Sequence, residues 1–401
     1  MNPLLSLKGV YRKDTKRCYE LWWQGLPSKV RGLIWLLVIG NELNLTQDLY
    51  DICCSRAREK MTLFSKNEDS DNSPQNDKQA TSDKFCKFAD NVFLQPINRE
   101  NTVKLIHLDV SRTFPNLGIF QVGGPYHNLL CNLLGAYVCY RPDIGYVQSM
   151  SFIAAVLLLQ MDPYDAFVAF ANLLNRPLQL AFFRLQQPEM TVYFIAYDQY
   201  FHQELPKLHS HFDQLDVRPD LYLIEWLYTL YAKSLPFDVT CRVWDIFLRD
   251  GEEFLFKTAL GIIRLYECQL LEMNFEEVVY FLTHLPESMC VNDLFHNIEP
   301  FMRNYPSTSE NIKFKRRFSQ ICADVTERIN VGSNKLCSKL SSNMEDYVDG
   351  RSHSPELRRI SNNVQNLKMS KSLSGFLGDL LGAPYSEDAT DISSSSSSMI
   401  H

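Results

Sequence analysis

The stretch that decides the fold covers residues 141–159 and reads RPDIGYVQSMSFIAAVLLL. Its first five residues combine Pro, Asp and Gly, which is the composition of a turn. Eight consecutive apolar residues, 152–159, follow directly; such a run fits a buried segment and is far short of the ~20 residues that a membrane-spanning helix needs. The stretch therefore predicts a turn that leads into a buried helix, with Gln148 at the mouth of that helix.

Helical signals recur on both sides of this stretch. Near the N-terminus, Pro27 is expected in the first turn of a helix that Gly40 ends. Three later segments carry apolar residues at a spacing of three to four: 221–231, 254–271 and 275–285. Alternation typical of strands is hard to find. The sequence predicts an all-α fold.

The composition of the chain excludes some classes of function and favours others. The chain has 401 residues, 45% of them hydrophobic, which is enough for two packed lobes or one long helical array. A net charge of -7 argues against a nucleic-acid binder and favours a protein partner. Eleven Cys occur without a Cys-x-x-Cys pair, so reduced thiols, a cytoplasmic location and no metal centre are expected. His209, His211 and Asp213 alternate as metal ligands can, but they are interpreted as polar residues on the surface of a loop and not as a metal site.

Two polar stretches interrupt the helical pattern. Residues 65–84 hold almost no apolar side chain and are predicted to form a flexible insertion. Residues 331–401 contain a run of six serines, 393–398, near their end and are predicted to be a disordered tail through which an adaptor could bind. Residues 1–19 are taken as a lead-in, and neither a signal-peptide core nor a transmembrane segment is expected.

Two short segments place one isolated polar side chain each where a turn meets a helix. Ile106, Asp109 and Arg112 recur every third residue, and Pro115 disfavours helix just after them. Arg112 is therefore expected near a helix end, with Asp109 one turn earlier to orient its guanidinium. From spacing alone, Asp109 and Arg112 could instead form an ordinary surface ion pair. Gln148 could likewise serve only to satisfy free amide groups at the start of its helix.

Taken together, these segments resemble the TBC domain of Rab GTPase-activating proteins. The family's two finger motifs occur as Ile106-x-x-Asp109-x-x-Arg112 and as Tyr146-Val147-Gln148, in the expected order. Further family motifs are Gly25-Leu26-Pro27 with Arg31-x-x-x-Trp35, Glu225-Trp226, Ser234-Leu235-Pro236, Arg242-Val243-Trp244-Asp245 and Asp250-Gly251. The sequence around Gly123-Gly124-Pro125-Tyr126-His127 looks most like that of the subgroup of TBC domain family members twelve and fourteen.

The resemblance implies a two-lobed helical domain over residues 20–330, with a lobe boundary near 175, that binds a GTP-bound Rab. Arg112 would neutralise charge on the transferring phosphoryl group and Gln148 would position the attacking water. Asp109, Tyr146 and Arg31 would support these fingers. No cofactor is implied for this chain, because Mg²⁺ and GTP belong to the Rab. Such a protein would regulate vesicle traffic at the periphery of endomembranes.

Ser149 departs from the family pattern, which usually has Gly beside the Gln finger. The apolar run after Met150 predicts that the helix has already begun at Ser149, where Ser would be tolerated. If the position instead needs positive φ or close contact with the Rab, Ser would impair activity. The sequence therefore leaves two functions open: an active GTPase activator, or a TBC-fold scaffold that binds a Rab or adaptor without turnover.

Overall fold

The computed structural model describes residues 16–68, 99–184 and 186–302, together with positions 320, 323, 324 and 327. Within these residues the chain forms α-helices and two short 3-10 helices and no strand. The helices are α1 Lys16–Gln24, α2 Ser28–Ile39, α3 Gln47–Glu68, α4 Arg99–Ser111, α5 His127–Tyr140, α6 Met150–Leu158, α7 Pro163–Leu174, α8 Pro177–Phe183, α9 Gln187–Glu204, α10 Pro206–Gln214, α11 Asp220–Tyr228, α12 Phe237–Asp250, α13 Glu253–Leu265, α14 Glu267–Leu270, α15 Phe275–Thr283 and α16 Val291–Ile298. The all-α prediction is confirmed.

The helices sort into two packing groups. In the first group α5 packs against α3, α4, α6 and α7, and in the second α13 packs against α11, α12 and α16. Helix α7 ends at Leu174 and α8 begins at Pro177, and the lobe boundary near residue 175 stays a prediction. Helix α2 contacts α7 in one group and α12 in the other. The predicted two-lobed arrangement is confirmed.

The apolar run after the turn is the most buried helix of the first group. All nine residues of α6 are buried. The end of this helix also meets α2 closely, because a Cβ built on Gly32 would lie 1.9 Å from the carbonyl oxygen of Gln160. Only a residue without a side chain fits there. Glycine at position 32 therefore sets the distance between α2 and the chain that leaves α6.

Helix boundaries correct several details of the sequence predictions. Pro27 precedes α2 as its N-cap residue and does not lie in the first turn, whereas Gly40, at a φ of 76°, ends that helix as predicted. His209, His211 and Asp213 lie within α10 and not in a loop. Helix α3 continues to Glu68, so the predicted insertion 65–84 begins with four helical residues. These differences arise because helix ends depend on tertiary packing as well as on local sequence.

Some predictions fall on parts of the chain that lie outside the described residues. These parts are the lead-in before residue 16, the rest of the insertion to residue 84, and the tail 331–401. Among the described helices, none is both long and apolar enough to cross a membrane.

Candidate functional site

Both predicted finger segments meet at the buried carboxylate of Asp109. Oδ1 accepts a hydrogen bond from Nε of Arg112 at 2.8 Å. Oδ2 accepts three more, from the backbone N–H of Ser149 at 2.6 Å, from the hydroxyl of Ser151 at 3.2 Å, and from the phenol of Tyr146. One side chain that is 2% exposed thus joins the end of α4 to the start of α6, about 40 residues later in the chain.

The phenol of Tyr146 is a permanent donor in this arrangement. Burial raises the pKa of Tyr146 well above its usual value, and the adjacent Asp109 carboxylate raises it further. The hydroxyl therefore stays protonated through the physiological range and can donate to the carboxylate throughout.

The chain turns sharply after Arg112. Helix α4 ends at Ser111, and Phe114 adopts a left-handed conformation with φ 45° directly before Pro115. The ring of Phe114 meets Phe152 of α6 edge to face, with centroids 5.3 Å apart. The aromatic contact anchors the loop that follows the Arg and keeps it against α6.

Arg112 itself points outward. Its side chain is 49% exposed, although its Nε is held by Asp109. The two Nη groups make no hydrogen bond or ion pair with the described part of the chain. A guanidinium held at one end and open at the other is suited to binding an anionic group presented by another molecule.

Gln148 lies in a tight turn next to Ser149, whose N–H is bonded to the same Asp109 carboxylate. The N–H of Met150 bonds to the carbonyl of Val147 at 3.2 Å, which places Gln148 and Ser149 at the two central positions of the turn. The Gln148 side chain makes no hydrogen bond to other residues that the structure describes, so its amide does not serve to satisfy free N–H groups at the helix start. Gln148 is buried, with 8% of its surface exposed, and the donor and acceptor of its amide are not used by other described residues.

Ser149 corrects a prediction. It has φ 72° and ψ -4°, a left-handed conformation, and α6 begins one residue later, at Met150. These angles match the third position of a type II turn, which favours glycine. The side chain of Ser149 does not cap α6 either. The helix starts later than the apolar pattern predicts because the backbone must first complete the turn that directs the N–H of Ser149 to Asp109.

The family is settled by comparison with known proteins. The model of the Rab-GTPase-TBC domain family matches residues 28–271, more than half of the chain. This chain belongs to the Rab-GTPase-TBC domain family. The matched region contains both finger segments and all five site residues named from the sequence, namely Arg31, Asp109, Arg112, Tyr146 and Gln148. The wider domain bounds 20–330 stay a prediction.

Curated relatives of this TBC domain include members of the predicted subgroup. TBC1 domain family member 12 of Xenopus tropicalis is 51% identical over 315 residues, covering 79% of this chain and 43% of the relative. TBC1 domain family member 14 of Homo sapiens is 51% identical over 284 residues, covering 71% of this chain and 39% of the relative. The chain thus spans less than half the length of these relatives.

A solved structure supports the TBC fold. The crystal structure of the Chlamydomonas flagellar RabGAP TBC domain is similar with a TM-score of 0.56 and 19% sequence identity. The match covers 75% of this chain and 91% of that one. At this identity the likeness shows the fold alone.

Arg31 lies in a second polar cluster of the TBC domain. Its Nε donates to Oδ1 of Asp245 on α12 at 3.0 Å, and Trp35 Nε1 donates to the same oxygen at 2.9 Å. The backbone N–H of Leu26 donates to Oδ2 at 3.0 Å. The described hydrogen-bond partners of Arg31 are therefore Asp245 and Leu26, not the finger segments, and direct support of the finger loop by Arg31 stays a prediction. The cluster fixes α2 against α12.

Sequence reasoning missed several residues of the TBC site. Ser151 and Thr113 lie 2.7 Å apart, hydroxyl to hydroxyl, and Thr113 also donates to the backbone carbonyl of Asp109. Neither residue stands out by spacing or residue type. Asp245 could have been suspected from its place in the Arg242-Val243-Trp244-Asp245 motif, but its partners come from more than 200 residues away in the sequence.

Proposed function

We propose that this TBC domain is a GTPase-activating protein that supplies Arg112 and Gln148 in trans to a GTP-bound Rab. The observation that carries the proposal is the shared carboxylate of Asp109, which holds the Arg segment and the Gln segment side by side. Within the described residues, the two Nη groups of Arg112 and the side-chain amide of Gln148 have no hydrogen-bond partner, so neither is used by the chain itself.

Phosphoryl transfer explains why these two side chains are useful. The transition state spreads charge over the equatorial oxygens of the transferred group, and a guanidinium fork stabilises that charge. Asp109 removes part of the rotational freedom of Arg112, so less entropy is lost when the Nη groups bind. The amide of Gln148 can accept a hydrogen bond from the attacking water with its oxygen and donate with its nitrogen. The Rab brings Mg²⁺ and GTP, so no cofactor of this chain takes part.

A binding partner of this kind also suggests a cellular role. A Rab activator acts where its Rab is found, so regulation of vesicle traffic at endomembrane surfaces belongs to the same proposal. An adaptor that binds through the tail 331–401 stays a prediction, since those residues lie outside the described structure.

The proposal is tested by single-turnover GTP hydrolysis against a panel of purified Rab proteins. An arginine finger is worth about 10³ to 10⁵ in rate. Arg112→Ala should therefore abolish useful acceleration, and Arg112→Lys should fail too, because an ammonium cannot reproduce the planar fork. Thermal unfolding should change little, since half of the side chain is in solvent.

Arg17→Ala is a matched control, because Arg17 forms an exposed i,i+3 ion pair with Glu20 at 3.6 Å, the same spacing as Arg112 and Asp109. The control should leave both rate and stability unchanged. A folded Arg112→Ala protein that accelerates hydrolysis as well as the original chain would overturn the assignment of the finger.

One observation favours a second candidate, a TBC-fold scaffold with impaired catalysis. Ser149 holds a left-handed conformation that glycine adopts more easily. We favour the active form, because the N–H of Ser149 is already bonded to Asp109 and the turn is therefore complete with Ser in place. A tenfold or larger gain in hydrolysis from Ser149→Gly, equivalent to about 1.4 kcal/mol of barrier, would instead support the scaffold.

A further inference from the structure

Three side chains with metal-binding atoms converge beside the finger helix. They are His107 on α4 and His127 and Cys131 on α5, and their ligand atoms all lie within 4.8 Å of one another. The Sγ of Cys131 is 3.6 Å from Nδ1 of His107 and 3.8 Å from Nε2 of His127. None of these three residues has a role in the proposed finger mechanism.

The spacing fits tetrahedral coordination. Bonds of about 2.0 to 2.1 Å to nitrogen and about 2.3 Å to sulfur place the nitrogen and sulfur ligands of a tetrahedral Zn²⁺ roughly 3.5 Å apart. Both sulfur-to-nitrogen distances here come within a few tenths of an ångström of that value. His127 and Cys131 lie one helical turn apart on the same face of α5, so no backbone movement is needed to aim both at one point.

A further contact orients His127 as a metal ligand. Its Nδ1 lies 2.9 Å from the carbonyl oxygen of Phe120. A carbonyl can only accept, so Nδ1 carries the proton and Nε2 presents its lone pair to the thiol of Cys131. A second hydrogen bond of this kind, which fixes the tautomer and the plane of the ring, accompanies nearly all metal-binding histidines.

One of the three ligands is open to solvent. His107 is exposed, so a cation can reach the site from water, whereas His127 and Cys131 are buried.

We propose that His107, His127 and Cys131 bind one borderline-soft divalent cation, Zn²⁺, with a water molecule as the fourth ligand. On binding, the Cys131 thiol loses its proton to solvent and a zinc–sulfur bond forms, with no change of oxidation state. The ion joins α4 to α5 just before Asp109 and Arg112, so it holds the finger helix in its position. The sequence predicted no metal centre, because the three ligands come from two helices and contain no Cys-x-x-Cys pair.

The test is titration of the full chain, freed of metal by a chelator, with Co²⁺ and then Zn²⁺. One equivalent of Co²⁺ should bind with the visible absorption of a tetrahedral site and the near-ultraviolet thiolate-to-cobalt charge-transfer band, and Zn²⁺ should displace it. Cys131→Ser should lose the charge-transfer band. His107→Asn should weaken Zn²⁺ binding at least tenfold. Excess Zn²⁺ should raise the melting temperature of the original chain and not of either variant.

Cys139→Ser, on the same helix α5, and His209→Asn, on α10, are the controls and should bind as the original chain does. His107 is exposed, so its variant tests the site even if Cys131→Ser folds poorly. An absence of tetrahedral Co²⁺ absorption would overturn the proposal. If both Cys131→Ser and His107→Asn bind metal as tightly as the original chain does, the proposal is also overturned. The metal would then be held by other thiols, such as the exposed Cys268 or Cys290. No readout involves a Rab, so the result is independent of the proposed activator function.

Discussion

Replacing Asp109 with Asn should release Arg112 and leave the rest of the site in place. The two side chains have the same shape, but a carboxamide offers one acceptor oxygen and an NH₂ group with two donors. Three donors face Oδ2 of Asp109 and a single donor, Nε of Arg112, faces Oδ1. The oxygen of Asn should therefore take the place of Oδ2, and its NH₂ should face Arg112, donor against donor.

The expected loss of stability follows from the hydrogen bonds that the substitution changes. A hydrogen bond to a charged group contributes about 1.5 to 3 kcal/mol, but the exposed position of Arg112 reduces its share to about 1 kcal/mol. The three bonds to Oδ2 survive with a neutral acceptor, which weakens them together by about 1 to 2 kcal/mol. We expect a loss of about 2 to 3 kcal/mol in the free energy of unfolding. The domain should still fold, while a mispositioned finger costs about 10²-fold in rate.

The assay combines urea unfolding with single-turnover Rab-GTP hydrolysis at a concentration where the variant is fully folded. Asp213→Asn, an exposed change on α10, is the matched control and should leave both measurements unchanged. The expected rate lies between those of the original chain and Arg112→Ala. A stable Asp109→Asn protein that hydrolyses within about threefold of the original rate would refute the positioning role, since a misplaced finger is expected to cost about 10²-fold.

Two further substitutions test the backbone around the site by urea unfolding. Ser149→Gly should raise the free energy of unfolding by about 0.5 to 1 kcal/mol, since relief of about 1 to 2 kcal/mol of left-handed strain exceeds the added unfolded-state entropy; a lower stability would contradict the assigned conformation. Gly32→Ala should lower the free energy of unfolding by about 1 to 3 kcal/mol, because the new methyl group meets the carbonyl of Gln160. The neighbouring Leu33→Ala, on the exposed face of α2, is its control and should cost less than about 1 kcal/mol; equal losses would argue against the close approach.

The helical architecture and the two finger segments are predictable from sequence, for different reasons. Apolar spacing marks a helix such as α13 because burial of one face repeats every three to four residues. Arg112 and Gln148 carry no such periodic signal, and an ion pair or a capping amide explains each of them equally well. Only the match to a family motif singles them out, and the structure then shows that Asp109 brings the two segments together.

Contacts between distant segments could not be predicted. The donors around Asp245 come from α2 and the turn before it, more than 200 residues away, and no local pattern relates them. The left-handed Ser149 was predicted wrongly for a related reason. Local apolar pattern favours a helix there, but the bond between its N–H and Asp109 requires a turn first. Long-range hydrogen bonds therefore decide the details of the site that local sequence leaves open.

The central claim, that water is positioned by a Gln supplied in trans, is tested most directly with a target Rab whose own switch Gln is changed to Ala. In single-turnover hydrolysis the original chain should still accelerate this Rab, Gln148→Ala should lose most of the stimulation, and the control Gln214→Ala, on α10, should keep it. The opposite pattern, in which the altered Rab does not respond at all while Gln148→Ala still activates an unaltered Rab, would contradict the account.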